Sequence, residues 1–160
     1  MGPEQSREGT ITEAQMGVMV ADLASKLHDM WREPRKITNP VEGQPAYEPR
    51  IKEVEGVQFD IANLGYHELP GKFQAENKAA AEGALREMPF LIREFGVERL
   101  TSPAAIESLS DTIHKQWMER NGAWAPAEQM VPYQELPEAE KEKDRVVARA
   151  AIETYLQENL

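Results

Sequence analysis

Apolar residues recur at steps of three or four along four stretches of the chain, which is the period of one buried face of an α-helix. In the first stretch they are Met16, Met19, Leu23, Leu27 and Met30. Capping residues and prolines near the ends sharpen each prediction, because they are favoured only at particular helix positions. The predicted helices cover about residues 12–32, 68–88, 102–121 and 135 to near the end of the sequence.

The helix ends are indicated by short polar and proline signals. A capping box, threonine with glutamine three residues on, predicts the first start at Thr12, and the first end falls before Pro34. Ser102 followed by proline predicts the third start, and Gly122 its stop. The second helix is expected to run until Pro89, with the apolar segment FLIREFG after it as a short turn.

The segment 35–64 has no helical period. It is rich in proline and glycine, and its apolar residues alternate in a short pattern over positions 51–59. Such alternation between turn residues is typical of a hairpin, so we expect an ordered loop that contains a short one. The fold class that follows is mainly α with short β segments.

The two halves of the chain carry the same motifs in the same order. LASKLHDMW, 23–31, matches LSDTIHKQW, 109–117, in its leucine, apolar residue, histidine and tryptophan. YHELP, 66–70, matches YQELP, 133–137, and the seventh and eighth residues after each proline are a polar residue and a base. Units this small bury their helix faces against each other.

The predicted organisation is a flexible N-terminus, residues 1–11, and two repeats of helix, loop and helix. The repeats span 12–100 and 101–160 and form one globular unit, packed about a pseudo-two-fold axis. This packing is expected to bring the two His-x-x-Trp faces together across a cleft. His and Trp three residues apart share one helix face, so both side chains of a motif can contact the same object.

Charge and residue content exclude several classes of function. With 18 Lys and Arg against 28 Asp and Glu, the formal charge is −10, so a phosphate backbone is repelled and nucleic acid is not an expected partner. The absence of cysteine rules out disulfides and thiolate metal sites. Neither a membrane-length apolar run nor a signal peptide is recognisable, so we expect a cytoplasmic protein without membrane attachment.

The sequence also lacks signatures of catalysis. It has no nucleophile elbow, no zinc-protease helix motif and no glycine-rich phosphate loop. The three histidines, at 28, 67 and 114, are too scattered to indicate a metal site. We therefore expect no enzyme activity, no cofactor and no bound metal.

The motifs of the second half, IHKQWMERNGAW and VPYQELPEAEKEKDR, together resemble the RyR domain. This repeat module is named after the ryanodine receptor and occurs singly or in tandem in bacterial and phage proteins. The first half keeps LHDMW and GYHELPGKFQAENKAA but lacks the Gly-x-Trp pair and has a longer loop. The resemblance covers residues 20–85 and 105–155, and it implies a mainly α-helical fold with short β segments.

For function, the resemblance implies a tandem ligand-binding module rather than an enzyme. In channel members an adenine nucleotide lies between the repeats, held by the His and Trp of the motifs and by nearby arginines. An indole stacks on a purine, and a guanidinium forms forked bonds to phosphate. The expected ligand is therefore an adenine nucleotide or a related small molecule. The expected ligand-binding residues are His28, Trp31, Arg35, His114, Trp117 and Arg120.

A purely structural interpretation of the same motifs stays open. Tryptophans at helical spacing usually fill the core, and the histidines then bond to the backbone. The protein is in that case an interaction or scaffold domain for a protein partner or a second copy of the chain, with both His-x-x-Trp faces fully buried. An enzyme acting on a nucleotide is the third alternative. Trp124 and Tyr133 are expected to hold the second loop against its helix, and Arg50 and Lys52 to be solvated.

Overall fold

The computed structural model describes residues 11–159, and within them the chain is mainly α-helical with one small antiparallel sheet. The predicted flexible N-terminus, 1–11, lies outside this part except for Ile11, which packs half-buried against the core. Several single turns of 3-10 helix join the elements. The helices are α1 Glu13–Arg32, α2 Gly71–Leu85, α3 Met88–Phe95, α4 Pro103–Asn121 and α5 Glu138–Asn159, and the strands are β1 Ile51–Val54 and β2 Val57–Asp60.

Helix α1 begins at the predicted capping box. The Gln15 amide donates to the Thr12 hydroxyl over 3.1 Å, and the Thr12 amide donates to the Gln15 side chain over 3.0 Å. Two N–H groups near the start of the helix are thereby satisfied. Met19 and Leu23 on the inner face are fully buried, and the helix ends just before a 3-10 turn that contains Pro34.

The segment 35–64 folds as an ordered loop with the expected hairpin. β1 and β2 pair antiparallel over 4 residues each. Between them, Glu55 at φ 51° and Gly56 at φ 80° adopt the left-handed backbone that a tight two-residue hairpin turn requires. Asn63 fixes the rest of the loop, because its side chain exchanges hydrogen bonds of 3.0 and 2.9 Å with the Tyr47 backbone.

The second predicted helix is divided in two. α2 ends at Leu85, and α3 begins at Met88 with Pro89 in its first turn. Proline suits a first turn, where its missing N–H is not needed, so here it accompanies a helix start and not the expected stop. The segment predicted to be a short apolar turn is therefore helical. It ends at Gly96, whose φ of 83° is accessible to glycine at little cost.

Helix α4 follows its predicted bounds. The Ser102 hydroxyl accepts a hydrogen bond from the Ala105 amide over 3.2 Å at the start. Gly122 lies at the end as expected, but its φ of −60° is right-handed and not the left-handed value common at helix ends.

The four long helices pack around one core. α1 lies against α2, and α4 lies against α5; α5 also contacts α1 and α2, and α2 contacts α4. The fully buried side chains of this core include Leu23, Leu85, Leu109 and Ile152, one from each helix. Across residues 11–159, no helix has the length and apolar character needed to cross a membrane. Each His-x-x-Trp motif lies in the last turns of its helix, α1 or α4.

Candidate functional site

The histidine and tryptophan rings of the first motif lie nearly parallel at the end of α1. Their centroids are 5.7 Å apart, with 17° between the planes. His28 is buried, and its Nε2 lies 2.8 Å from the Leu64 carbonyl oxygen. Because a carbonyl only accepts, Nε2 carries the hydrogen. Burial lowers the pKa of His28 despite the opposing effect of this hydrogen bond, so a neutral imidazole links α1 to the segment 35–64.

The second motif has the same geometry at the end of α4. The His114 and Trp117 rings have centroids 6.2 Å apart and planes 10° apart. Nε2 of the buried His114 lies 2.8 Å from the Val131 carbonyl oxygen. Val131 stands two residues before YQELP, as Leu64 stands two residues before YHELP. Both histidines thus use Nε2 to hold the loop after their helix, which is the bonding that the structural interpretation expects.

Both indoles border one cleft. Trp31 and Trp117 are each partly exposed, and both line a cavity of about 660 Å³, here the large chamber. A cavity of about 300 Å³ beside His114, here the small chamber, shares part of its wall. These volumes lie in the usual range for small-molecule sites. The fully buried faces of the structural interpretation are found at neither indole. The shared wall consists of Glu76, Asn77, Ala80, Trp117, Lys143 and Val147.

Four cations line the large chamber; Lys143 is bonded to Glu140, and the other three are Arg35, Arg50 and Lys52. The Arg35 guanidinium lies over the Trp31 indole, 3.9 Å from the ring centroid, and donates to the Trp31 carbonyl oxygen over 2.8 Å. Within residues 11–159, none of the three cations forms an ion pair with a carboxylate. In a chain with a net charge of −10, this local positive charge suits the chamber to an anion.

Arg120 borders the small chamber but already has a partner. Its guanidinium donates to the two carboxylate oxygens of Glu76 on α2 over 3.1 to 3.3 Å. A forked pair of this kind fixes the guanidinium in place. Arg120 thus joins α4 to α2, and the Glu76 carboxylate offsets its charge.

A half-buried acid faces the second histidine. The Asp144 carboxylate on α5 has a side chain 16% exposed and lies 3.6 Å from Nδ1 of His114. Burial raises the pKa of Asp144 to about 6, although the charge of His114 acts in the opposite direction. The matching residue after YHELP is Asn77, which borders both chambers and does not titrate. At this matched position, the second half of the cleft has an ionisable group and the first half does not.

The two aromatic residues expected to hold the second loop behave differently. Tyr133 is buried and donates to the Glu107 carboxylate over 2.9 Å. Trp124 is 68% exposed, and its indole N–H donates to the Asn121 side chain over 3.0 Å. It meets Trp117 edge-on, with centroids 6.1 Å apart. Trp124 therefore covers the end of α4 and leaves most of its own surface open.

All six residues predicted to bind ligand border the cleft, three of them in each half of the chain. Sequence reasoning expected Arg50 and Lys52 to be solvated and did not assign them to a site; Arg50 is exposed and Lys52 half-buried, and both line the large chamber. Both come from the start of the hairpin, and only the path of the segment 35–64 carries them to Trp31. The contact between Asp144 and His114 was also missed, although both positions belong to the repeated pattern.

No protein-family model matches the chain, and no curated protein sequence matches it significantly. The part of the chain that the structure describes contains no group of three or more His, Asp or Glu side chains arranged to hold a metal ion. The side chains that define the site are two indoles, three cations without a carboxylate partner in residues 11–159, and the facing pair of His114 and Asp144.

Proposed function

We propose that the chain is a non-enzymatic binding module that holds a nucleotide or a nucleotide-derived small molecule in the cleft between two RyR-like repeats. One observation carries the proposal. Both indoles border the large chamber together with three cations that have no carboxylate partner within residues 11–159. A planar ring and an anionic group are the two parts of a nucleotide, and these side chains recognise one each.

We also infer that residues 12–100 and 101–160 are tandem repeats related by a pseudo-two-fold axis. Matching local geometry supports this inference. The Nε2 contacts of His28 and His114 to the following loop both measure 2.8 Å. YHELP and YQELP each form a 3-10 turn immediately before a long helix. The equivalent faces of the two units then meet at the cleft.

The positions of the charges suggest how a nucleotide lies in the large chamber. Its phosphates are placed against Arg50 and Lys52, where no ion pair has to be broken. Because Arg35 already lies over Trp31, the base stacks on the guanidinium plane or on Trp117. Apolar side chains such as Phe73 complete the wall around the ring.

Isothermal titration calorimetry with ATP, ADP-ribose and cyclic nucleotides tests the proposal. The wild-type chain should bind at least one of them, and Trp31→Ala and Trp117→Ala should each weaken binding by about 5- to 150-fold, the equivalent of 1–3 kcal/mol of stacking. Phe90→Ala is the matched control, because this exposed aromatic side chain lies outside both chambers and should leave affinity unchanged. A wild-type chain that binds none of these compounds contradicts the proposal, and consumption of the nucleotide during overnight incubation supports the enzyme alternative.

A protein-interaction role is the second candidate, and the exposed indole of Trp124 favours it. A tryptophan with 68% of its surface in water is a frequent anchor of protein contacts. If the chain binds a second copy of itself through this side chain, sedimentation velocity should show a dimer that Trp124→Ala converts to monomer. A wild-type monomer at high concentration excludes self-association as its function.

A further inference from the structure

The small chamber borders a pair of side chains, buried His114 and half-buried Asp144, whose interaction depends on one proton. His114 is 4% exposed, and its Nε2–H is committed to the Val131 carbonyl oxygen over 2.8 Å. Nδ1 is therefore the ring nitrogen that this hydrogen bond leaves free. It faces the Asp144 carboxylate, 3.6 Å away.

With one proton between them, the two groups attract each other across 3.6 Å. Either Nδ1–H faces the carboxylate, or a carboxyl O–H faces the Nδ1 lone pair. When that proton leaves, two acceptors face each other in a buried site, which is unfavourable unless a donor approaches. A ligand in the chamber beside them can supply that donor.

The charged groups around the pair do not supply it. From α5, Glu140 and Lys143 face Asp144, and the Lys143 ammonium is bonded to Glu140 over 3.0 Å. From α2 and α4, Glu76 and Arg120 border the same chamber and are bonded to each other. Both cations thus already have carboxylate partners.

We propose that His114 and Asp144 form a protonation-dependent recognition pair, which accepts an N–H donor group of the ligand in the small chamber only after the pair has lost its shared proton. This inference rests on the proposed function, because it concerns the same cleft. The ligand then carries an amino or amidine group at one end and its anion at the other, toward Arg50 and Lys52. Asn77, the matching residue of the first half, does not titrate, so it adds no pH dependence to binding.

The test compares adenosine 5′-diphosphate with purine riboside 5′-diphosphate by calorimetry. The two differ only in the exocyclic amine, which purine riboside lacks, so phosphate protonation cancels in the ratio of their affinities. Burial raises the pKa of Asp144 to about 6, so the ionised fraction of its carboxyl rises from about 0.1 at pH 5.0 to nearly 1 at pH 7.5, and the ratio should rise about tenfold. Asp144→Asn, which copies Asn77, should hold the ratio constant. A wild-type ratio independent of pH overturns the inference, as does an unchanged rise in Asp144→Asn.

Benzamidine separates this inference from the proposed function. Its amidine carries N–H donors and needs no anion site, so it can bind the pair even if neither nucleotide binds. Absence of nucleotide binding alone would contradict the proposed function and leave this inference standing. Its affinity should fall about tenfold from pH 7.5 to 5.0 in wild type and stay flat in Asp144→Asn. Failure to bind, or equal pH dependence in both proteins, overturns the inference.

Discussion

Replacing Asp144 with asparagine should stabilise the fold near neutral pH and leave its stability in acid nearly unchanged. The pKa of this carboxyl is about 6 in the folded chain, raised mainly by burial, against an ordinary value of 3.8. The folded state therefore binds the proton more tightly than the unfolded state does. The stability contributed by this proton is fully present below pH 3.8 and is lost as the pH rises through about 6.

The size of the effect follows from the two pKa values. At 1.36 kcal/mol per pH unit, the interval between 3.8 and about 6 corresponds to about 3 kcal/mol as an upper bound. Asparagine has the same shape and cannot ionise, and its amide can donate to the Nδ1 lone pair of His114. Asp144→Asn should therefore exceed wild type in free energy of unfolding by about 1–3 kcal/mol at pH 7.5 and by little at pH 4.

Urea denaturation at pH 4, 5, 6 and 7.5, followed by circular dichroism, measures this difference. Taking the difference between variant and wild type at each pH cancels the titration of groups distant from the pair. Asp29→Asn is the surface control, because the Asp29 side chain is 65% exposed. Its free energy of unfolding should stay within about 0.5 kcal/mol of wild type at each pH. If the difference in free energy of unfolding between variant and wild type is constant with pH, or grows toward acid, the predicted role of Asp144 is wrong.

Three further substitutions give distinct outcomes. Arg50→Gln should weaken nucleotide binding about fivefold and reduce its salt dependence, whereas Arg99→Gln, an exposed arginine away from the cleft, should change neither in calorimetry at two salt concentrations. Glu76→Gln should raise nucleotide affinity several-fold, because it releases Arg120 toward the cleft, and an unchanged affinity argues against an anion site there. His28→Phe leaves a backbone carbonyl without its donor and should cost about 1–3 kcal/mol at pH 7.5. Since burial lowers the pKa of that histidine, the loss measured by denaturation should shrink toward pH 5.

The sequence predicts those parts of the fold that local signals determine. Thr12 and Ser102 cap their helices as expected, and the hairpin forms in the segment of alternating apolar residues. The break after Leu85 was missed, because the residues that follow carry neither glycine nor an early proline, and Pro89 fits a helix start as well as a stop. Local patterns alone do not distinguish these two roles of proline.

In the candidate site, too, local motifs were predictable and contacts between distant segments were not. The histidine and tryptophan pairs were visible because the motif repeats, and all of them border the cleft. Three determinants of its charge were not visible. Arg50 reaches the chamber through the course of a long loop, Glu76 offsets Arg120 from another helix, and Asp144 acquires its raised pKa through burial. Each depends on contacts between segments distant in sequence, which periodicity does not encode.

The most direct test of the central claim is a nucleotide titration followed by NMR at the indole N–H groups. The chain has three tryptophans, so its ¹⁵N spectrum contains few indole signals, and Trp31→Ala and Trp117→Ala assign two of them. One shared cleft predicts that the signals of Trp31 and Trp117 shift in a saturable manner with the same dissociation constant. Two different constants, or a shift confined to Trp124, would contradict binding between the two indoles.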